Sequence, residues 1–332
     1  MSVQMVIRHP RPLKKGKVMG REGQSGGRFC KHWNLIAVLG PTASGKTALA
    51  VRLARKIGGE IISADSRQVY RGMDLGTGKD LSEYGCNADA VPFHLIDICD
   101  PTEEFSVFAF QQRFIDCFRD IAARGKIPFL VGGTGLYLDS VLRGYRMAPV
   151  PLNASLRERL TGYDMESLRR YFLSIQRDAH NSTDLLERER LIRAIEIAEF
   201  SRDHPTAALQ SIQIEPLVIG ICLEREELRR KITLRLQTRL QAGMIDEVKH
   251  LHDRGVNWER LESFGLEYRY ISRYLQHKIS HEEMFQILNT RIRQFAKRQE
   301  TWFRGMGKKG VPIHWMDGPD EEAAFRLIMD PE

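Results

Sequence analysis

The chain has 332 residues, of which 42% are hydrophobic and 28% charged, with a formal net charge of +7 and five cysteines. No apolar stretch approaches the roughly 18 residues of a membrane-spanning helix, and the cysteines form no C-x-x-C pair, which argues against a membrane protein and against a disulfide framework. These properties are typical of a soluble cytoplasmic protein. The length favours a core domain with an accessory domain, because one hydrophobic core rarely grows so large.

The excess positive charge lies in residues 1–32. This segment has eight Lys or Arg residues against one acid, Glu22, so the rest of the chain carries no net charge. The segment is rich in Gly and Pro and lacks the apolar core of a secretory signal. We favour a dispensable, disordered basic tail; a phosphate-contacting arm and an organelle transit segment are the alternatives.

The first predicted strand, Leu35–Leu39, leads into a glycine-rich loop and then a helical pattern. The loop matches G-x-x-x-x-G-K-[ST] in the strand–loop–helix context that this motif requires, and we call residues 40–47 the P-loop. Its backbone N–H groups and Lys46 would bind a diphosphate or polyphosphate, and Thr47 would supply a hydroxyl to Mg²⁺. The predicted phosphate-binding residues are Gly40, Pro41, Thr42, Ala43, Ser44, Gly45, Lys46 and Thr47.

Strands and helices alternate after the P-loop. Short apolar runs at 60–64, 92–96 and 127–131 predict three more strands. A helical pattern lies between the runs at 92–96 and 127–131. This order predicts an α/β fold, a P-loop NTPase-like parallel sheet flanked by helices, with ligands at the carboxyl ends of the strands. The P-loop, Asp65 and Thr134 all fall at such ends, so we expect them to line one cleft.

The character of the sequence changes at about residue 149. From there to about residue 205 it is helical and heavily charged, which predicts a helical insertion domain. A strand at 214–223 would return to the sheet, followed by a helix from residue 225 to about 240 and a last helix at 281–303. The predicted organisation is a P-loop core at 33–148, the insertion at 149–205, core completion with C-terminal helices at 206–318, and a C-terminal tail at 319–332.

A P-loop taken alone favours an ATP-dependent kinase. A kinase needs an aspartate after an apolar strand, and Asp97 is the Walker-B candidate. The strand-end segments 65–74 and 132–137 are unusual for that class, and no acceptor site is evident. A second alternative is a non-catalytic RNA-binding protein with a relic P-loop, but the intact P-loop and Asp65 argue against it.

Motifs over most of the chain resemble those of the bacterial tRNA dimethylallyltransferases, also called tRNA isopentenyltransferases. The resemblance runs in order from about residue 34 to 317 and rests on the P-loop and on segments 65–70, 76–79, 131–137, 190–196 and 296–302. It implies transfer of a dimethylallyl group from dimethylallyl diphosphate to N6 of the adenosine 3′-adjacent to the anticodon. The P-loop and Mg²⁺ would hold the diphosphate, the tRNA anticodon stem-loop would be the partner, and we expect a monomer.

The resemblance also implies the catalytic residues. An exocyclic aromatic amine is a weak nucleophile, so a carboxylate that accepts the N6 proton would help, and Asp65 is the candidate. An aspartate at a strand end can instead cap a helix or bind Mg²⁺. Arg235 would neutralise charge on the leaving diphosphate, or be a solvated helix arginine. Thr134 would bind the target nucleotide or bridge it to Asp65, or simply cap a helix.

The implied tRNA contacts lie at the second strand end, at Thr134 and in the insertion. The target base must leave its stack to reach the cleft, as in other base-modifying enzymes. Two departures from the family pattern stand out: Glu189 replaces the usual Gln before Arg, and segment 265–269 reads Gly-Leu-Glu-Tyr-Arg. For any one arginine of the insertion, a charged surface helix is the alternative. The candidate contacts are Asp65, Ser66, Arg67, Gln68, Thr134, Glu189, Arg190, Leu191, Ile192 and Arg193.

Overall fold

The computed structural model describes residues 33–86, 89–145, 147, 150–175, 187–203 and 212–329, so the predicted basic tail at 1–32 lies outside the described residues. Within the described part of the chain, the strands form one parallel sheet. In chain order they are β1 (Leu35–Leu39), β2 (Glu60–Ser63), β3 (Phe93–His94), β4 (Pro128–Gly132), β5 (Pro216–Cys222) and β6 (Ile313–Asp317). Their order across the sheet is β3-β2-β4-β1-β5-β6.

The helices cover both faces of this sheet and its carboxyl edge. A 3₁₀ turn at Leu81–Tyr84 precedes β3. No helix of the described residues is long and apolar enough to cross a membrane. In chain order the α-helices are α1 (Lys46–Ile57), α2 (Val107–Ala123), α3 (Gly135–Leu142), α4 (Ala154–Leu160), α5 (Met165–Ile175), α6 (Arg188–Asp203), α7 (Arg225–Gln241), α8 (Met244–Asp253), α9 (Trp258–Ser263), α10 (Leu266–Leu275), α11 (His281–Lys308) and α12 (Glu321–Met329).

The central strands are apolar on both faces, as a parallel sheet covered on both sides requires. Alternate residues of β1 enter different cores: Leu35 and Leu39 pack toward α2, α3 and the end of α11, whereas Ile36 and Val38 pack toward α1 and α12. In a third cluster, apolar side chains of α7, α8, α9, α10 and α11 pack against those of residues 69–73 at the carboxyl edge of the sheet. The predicted α/β fold with a parallel sheet is confirmed, and this third cluster places helix side chains over the strand ends.

Two C-terminal elements differ from the prediction. Strand β6 adds to the edge of the sheet beside β5. The predicted C-terminal tail at 319–332 is wrong over Glu321–Met329, which form α12. Ala324 and Ile328 of this helix are buried in the core shared with α1, and Glu321 binds Arg52 at 2.8 Å. The apolar positions three and four residues apart give α12 a face to bury, which stabilises it as a helix.

The predicted insertion is helical where the structure describes it, and residues 176–186 and 204–211 lie outside the described residues. Apolar residues of α4, α5 and α6 form a cluster of their own, which includes Leu160, Phe172 and Ile195. Glu196 is buried beside this cluster and binds Arg157 at 2.7 Å and Arg193 at 2.7 Å. A separate cluster with a buried ionic network supports the insertion as a unit with its own small core.

Replacing Glu60 with glutamine should destabilise the fold by about 2 kcal/mol at pH 7, because it leaves a cluster of cationic side chains without its buried counter-ion. Glu60 is 1% exposed at the start of β2, and its carboxylate binds Arg124, Lys126 at 2.8 Å and His94 at 2.8 Å. The hydrogen bonds from Arg124 hold the pKa of Glu60 well below its usual range, and those from Lys126 and His94 add to the effect. Urea unfolding from pH 7 to 3 measures the difference.

Because the folded-state pKa of Glu60 is lowered, its contribution is complete above the unfolded pKa of about 4.3 and is lost as the pH falls through the folded value. The gap between wild type and Glu60→Gln should therefore narrow below about pH 4. Glu321→Gln, which breaks the more exposed pair with Arg52, is the control and should cost less than about 0.5 kcal/mol. A gap that stays constant down to pH 3 would contradict this account.

Candidate active site

The P-loop connects β1 to α1 and forms a tight curve of backbone. Gly45 and Ala43 have φ of 86° and 64°, and Ser44 N–H donates to the Pro41 carbonyl at 3.3 Å. A Cβ on Gly40 would lie 2.8 Å from Ser44 Oγ, so this position admits only glycine without a shift. The curve places the N-terminus of α1 and its unsatisfied N–H groups at the carboxyl edge of the sheet, where they can bind an anion.

Lys46 is the first residue of α1, and its Nζ donates to the Pro41 carbonyl at 3.3 Å. Burial and, next in size, the positive charge of Arg235 together lower the pKa of Lys46 to about 8, against the opposing effect of Asp65. Because burial and Arg235 destabilise the charged form of Lys46, a bound anion would stabilise this ammonium group strongly. The lysine therefore supports the predicted binding of a phosphate group.

The loop after β2 is tied to the loop after β4. Thr134 Oγ1 accepts a hydrogen bond from Ser66 N–H at 3.0 Å, and Thr134 N–H donates to the Ala64 carbonyl at 3.2 Å. Thr134 is the N-cap residue of α3, but its side chain makes no capping hydrogen bond to that helix and binds Ser66 N–H instead. Thr134 and the segment that begins at Asp65 thus lie side by side, as predicted.

Asp65 Oδ1 accepts from Arg67 N–H at 2.9 Å, which fixes the side chain at the strand end. Within the described residues, Oδ2 forms no hydrogen bond, so one carboxylate oxygen can accept a proton from a ligand. The Gln68 side chain bridges two other segments: its Oε1 accepts from Ser63 Oγ at 2.9 Å, and its Nε2 donates to the Gly78 carbonyl at 3.0 Å. Of these neighbours, Gln68 has a structural role that the sequence did not reveal.

Gln299 of α11 joins two of the predicted loops. Its Oε1 accepts from Thr42 N–H of the P-loop at 2.8 Å, and its Nε2 donates to the Gly133 carbonyl at 2.8 Å. A Cβ on Gly133 would lie 2.4 Å from that Nε2, and one on Gly135 would lie 2.4 Å from the Trp302 ring. The glycines of this loop therefore let α11 approach closely. Segment 296–302 was part of the resemblance, but this role of Gln299 was not predicted.

Arg235 reaches the P-loop from α7, as predicted. Its Nη1 lies 3.4 Å from Thr42 Oγ1, and its Nη2 donates to Asp80 Oδ2 at 2.7 Å. Arg239, one helical turn later, binds the same carboxylate oxygen at 3.1 Å. The alternative of a solvated surface arginine is thus wrong for Arg235. Arg239 and Asp80 were missed; the only sequence signal was the four-residue spacing of the two arginines on one helix.

Residues 74–80, which we call the strap, end at Asp80 and are anchored by contacts to Glu247 and by the ion pairs of Lys79. Glu247 accepts hydrogen bonds from the N–H groups of three consecutive strap residues, Asp74, Leu75 and Gly76, at 2.8, 2.6 and 3.0 Å. The buried Lys79 ammonium binds Asp74 at 2.6 Å and also Asp97. Asp97, the Walker-B candidate, is therefore neutralised by a buried lysine, and the kinase assignment of this aspartate is wrong.

Replacing Gly78 with alanine should weaken diphosphate binding about tenfold and cost about 1 kcal/mol of stability. Gly78 has φ of +68°, and a Cβ would lie 1.9 Å from Arg239 Nη2 and 2.5 Å from Arg235 Nη2, so both guanidinium groups must move. Calorimetric titration with diphosphate and thermal unfolding measure the two effects. Gly125→Ala is the control, because Gly125 has φ of +70° with nothing within 4 Å. Equal diphosphate affinity in the two variants would contradict the prediction.

A small pocket of about 20 Å³ adjoins the P-loop on the side of α7 and α11. Its polar lining residues are Thr42, Arg235, Arg239 and Glu267. Burial raises the pKa of Glu267, which favours its neutral form. The remaining lining residues are apolar: Ala43, Ile232, Leu236, Met244 and Ile292.

The predicted tRNA contacts of the insertion divide into two groups. Glu189 and Arg190 at the start of α6 are exposed, and Glu189 lies 3.3 Å from Arg157. Leu191, Ile192 and Arg193 are buried, and Arg193 donates to the Val150 carbonyl at 2.6 Å. The prediction that these three side chains face tRNA is wrong for the structure described, because they form part of the insertion's own core and ionic network.

The P-loop, the Asp65 carboxylate and the arginines of α7 therefore meet at one edge of the parallel sheet, which is the arrangement of a P-loop-like α/β protein. The family model described as IPP transferase matches residues 68–306, and the model described as isopentenyl transferase matches residues 33–84. The chain belongs to the tRNA dimethylallyltransferase family, as the sequence motifs predicted.

Relatives and solved structures agree. The tRNA dimethylallyltransferase 1 of Syntrophus aciditrophicus is 56% identical over 295 residues, covering 87% of this chain and 95% of the relative. The tRNA dimethylallyltransferase 2 of Trichlorobacter lovleyi is 56% identical over 291 residues, covering 88% and 94%. The crystal structure of the tRNA isopentenylpyrophosphate transferase of Bacillus halodurans has 36% identity and a TM-score of 0.61, covering 86% of this chain and 89% of that one. These matches support a prenyltransferase rather than a kinase.

Proposed function

We propose that this protein transfers a dimethylallyl group from dimethylallyl diphosphate to N6 of the adenosine 3′-adjacent to the anticodon of tRNA. The observation that carries the proposal is the meeting of the P-loop, Arg235 and the turn at Asp65, which Thr134 binds through Ser66 N–H, at one edge of the sheet. The arrangement offers a diphosphate site and a proton acceptor on neighbouring loops. That combination suits the attack of an amine on an allylic diphosphate.

In the proposed reaction the N6–C1 bond forms, the C1–O bond to diphosphate breaks, and the N6 proton passes to Asp65. The free Oδ2 of Asp65 would accept that proton while Oδ1 stays bound to Arg67 N–H at 2.9 Å. Lys46, the P-loop N–H groups and Arg235 would stabilise the charge that accumulates on the departing diphosphate. Thr134 holds the Asp65 loop through Ser66 N–H, and in the proposed complex it would contact the target nucleotide.

Mg²⁺ is the proposed cofactor, and the oxygen donors present fit it. Thr47 offers a hydroxyl at the start of α1, and the carboxylates of Asp65 and Glu83 lie near enough to influence the pKa of Lys46. The described residues contain no preformed cluster of three or more metal-binding side chains, which suits an ion held mainly by diphosphate and water. When bound, Mg²⁺ supplies further neutralisation of the diphosphate charge.

The proposed partner is the tRNA anticodon stem-loop. We propose that the protein acts on it as a monomer in the cytoplasm. The anticodon loop is single-stranded, so drawing its base into the cleft costs a few kcal/mol or less. Ser66 and Arg67 lie beside Asp65, and Arg190 is 52% exposed on α6. We propose contacts through these residues; Glu189, also exposed, would repel a phosphate and is not among them.

A transfer assay tests the proposal. Purified protein, labelled dimethylallyl diphosphate, Mg²⁺ and unmodified tRNA are incubated and the tRNA is collected on filters, with ATP hydrolysis followed in parallel. Label should appear in tRNA and depend on the adenosine 3′ of the anticodon. ATP turnover without transfer to any tRNA would overturn the proposal and restore the kinase interpretation.

A further inference from the structure

Asp80 is the carboxylate that faces the diphosphate-binding cations from the strap. It accepts from Arg235 Nη2 at 2.7 Å and from Arg239 Nη2 at 3.1 Å, while Arg235 Nη1 lies 3.4 Å from Thr42 of the P-loop. We propose that Asp80 is a built-in counter-anion that competes with diphosphate for these two arginines and so speeds release of the diphosphate product. The inference rests on the proposed function for the identity of the anion.

The competition follows from the position of Arg235 between two anionic sites. One end of its guanidinium is at Thr42, beside the loop that would hold diphosphate, and the other end is on Asp80. A diphosphate in the P-loop would draw the guanidinium toward itself and weaken the bond to Asp80. Because the same donor group serves both anions, stabilisation of one reduces the affinity for the other.

The strap keeps Asp80 from following the arginines. Glu247 binds three strap N–H groups, and Tyr268 OH donates to Glu247 Oε1 at 2.7 Å. Lys79, next to Asp80, is 1% exposed and donates to the Tyr70 carbonyl at 2.7 Å. Because the chain that leads into Asp80 is anchored in this way, the carboxylate stays near the arginines when diphosphate arrives, and its negative charge opposes that arrival.

The charge on Asp80 is present at neutral pH. Burial opposes ionisation, but Arg235 and Arg239 outweigh it and lower the pKa of Asp80 below its usual value. The side chain is 40% exposed, so its effect on diphosphate is screened by salt. The binding experiment is therefore made at low ionic strength, where the difference is largest.

The test is calorimetric titration of the full-length protein with inorganic diphosphate and Mg²⁺. Asp80→Asn should bind diphosphate about tenfold more tightly than wild type, because one negative charge near the site is removed. Asp80 has φ of +44°, a conformation that asparagine tolerates, and Asp80→Gly, which lacks the carboxylate and also tolerates this φ, should act in the same direction. Glu226→Gln is the control, because Glu226 binds Arg229 on α7 at 2.6 Å and its removal changes the net charge equally.

Unchanged or weaker diphosphate binding in both Asp80 variants, with thermal unfolding showing folded protein, would overturn the proposal. Weaker binding would mean that Asp80 orders the arginines for the ligand instead of competing with it. In turnover, the Asp80 variants should show a lower kcat and stronger inhibition by diphosphate, with the single-turnover rate within about threefold of wild type. Wild-type binding of diphosphate without transfer to tRNA would instead mark failure of the proposed function.

Discussion

Asp65→Asn is expected to lower the single-turnover rate of prenyl transfer about a thousandfold, with diphosphate affinity within about threefold of wild type. Asparagine keeps the side-chain oxygen that accepts from Arg67 N–H at 2.9 Å, so the turn after β2 is preserved. The amide cannot accept the N6 proton, and the loss is therefore confined to the chemical step. Rapid-quench kinetics with labelled dimethylallyl diphosphate and tRNA measures the rate.

Asp100→Asn is the matched control. Asp100 Oδ1 accepts from Thr102 N–H at 2.9 Å, two residues later, as Asp65 does from Arg67. The same substitution in the same kind of turn should leave the rate of transfer unchanged. If Asp65→Asn reduced the rate less than about tenfold, proton transfer to this carboxylate would not be the step that it accelerates.

Lys46→Met is expected to weaken diphosphate binding at least about a hundredfold and to stabilise the ligand-free protein by about 1–2 kcal/mol. Burial and the charge of Arg235 lower the pKa of Lys46 to about 8, so the charged form of Lys46 destabilises the ligand-free protein. A pKa lowered on folding means that this destabilisation is complete below about pH 8 and is relieved as the pH rises from there toward the unfolded value. Methionine removes the charge and keeps most of the volume.

Calorimetry with diphosphate at several pH values, with urea unfolding of the free protein, tests this pair of effects. Wild-type affinity should fall as the pH rises above about 8, because the free lysine loses its proton, and the variant should lack that dependence. Lys56→Met is the control: Lys56 lies in the last turn of the same helix, exposed, 4.1 Å from the Phe325 ring centroid. A destabilised Lys46→Met protein would contradict this account.

The sequence predicted the parts of the fold that carry strong local signals. The P-loop has a specific motif, and β1, β4 and β5 are short continuous apolar runs that the fold buries, so these local signals were sufficient. Strand β6 was missed because it lies at the sheet edge with mixed polarity, and its Trp315 is 41% exposed. Such a strand is defined by its neighbour β5 and not by its own pattern.

The candidate site divides in the same way. Asp65, Thr134 and Arg235 were predicted from motifs and meet at the P-loop. Gln299 and Asp80 were not, because their partners lie 257 and 155 residues away along the chain. Arg193 was predicted to contact tRNA because the sequence does not distinguish a buried arginine from an exposed one. Its burial depends on partners that only the fold brings together: the Glu196 carboxylate and the Val150 carbonyl, which bind its guanidinium group.

The central position of β1 bears on how the protein is made. Of the described strands, β1 is synthesised first, yet it is bonded on one side to β4 and on the other to β5, and Asn34 beside it pairs with Glu215, 181 residues later. Gln299, which fixes the P-loop backbone at Thr42, emerges later still. A nascent chain therefore carries an open apolar strand and an unbraced P-loop through most of its synthesis. Exposed apolar surface of this kind makes an intermediate prone to aggregation, and the P-loop gains its hydrogen bond from Gln299 only when α11 is complete.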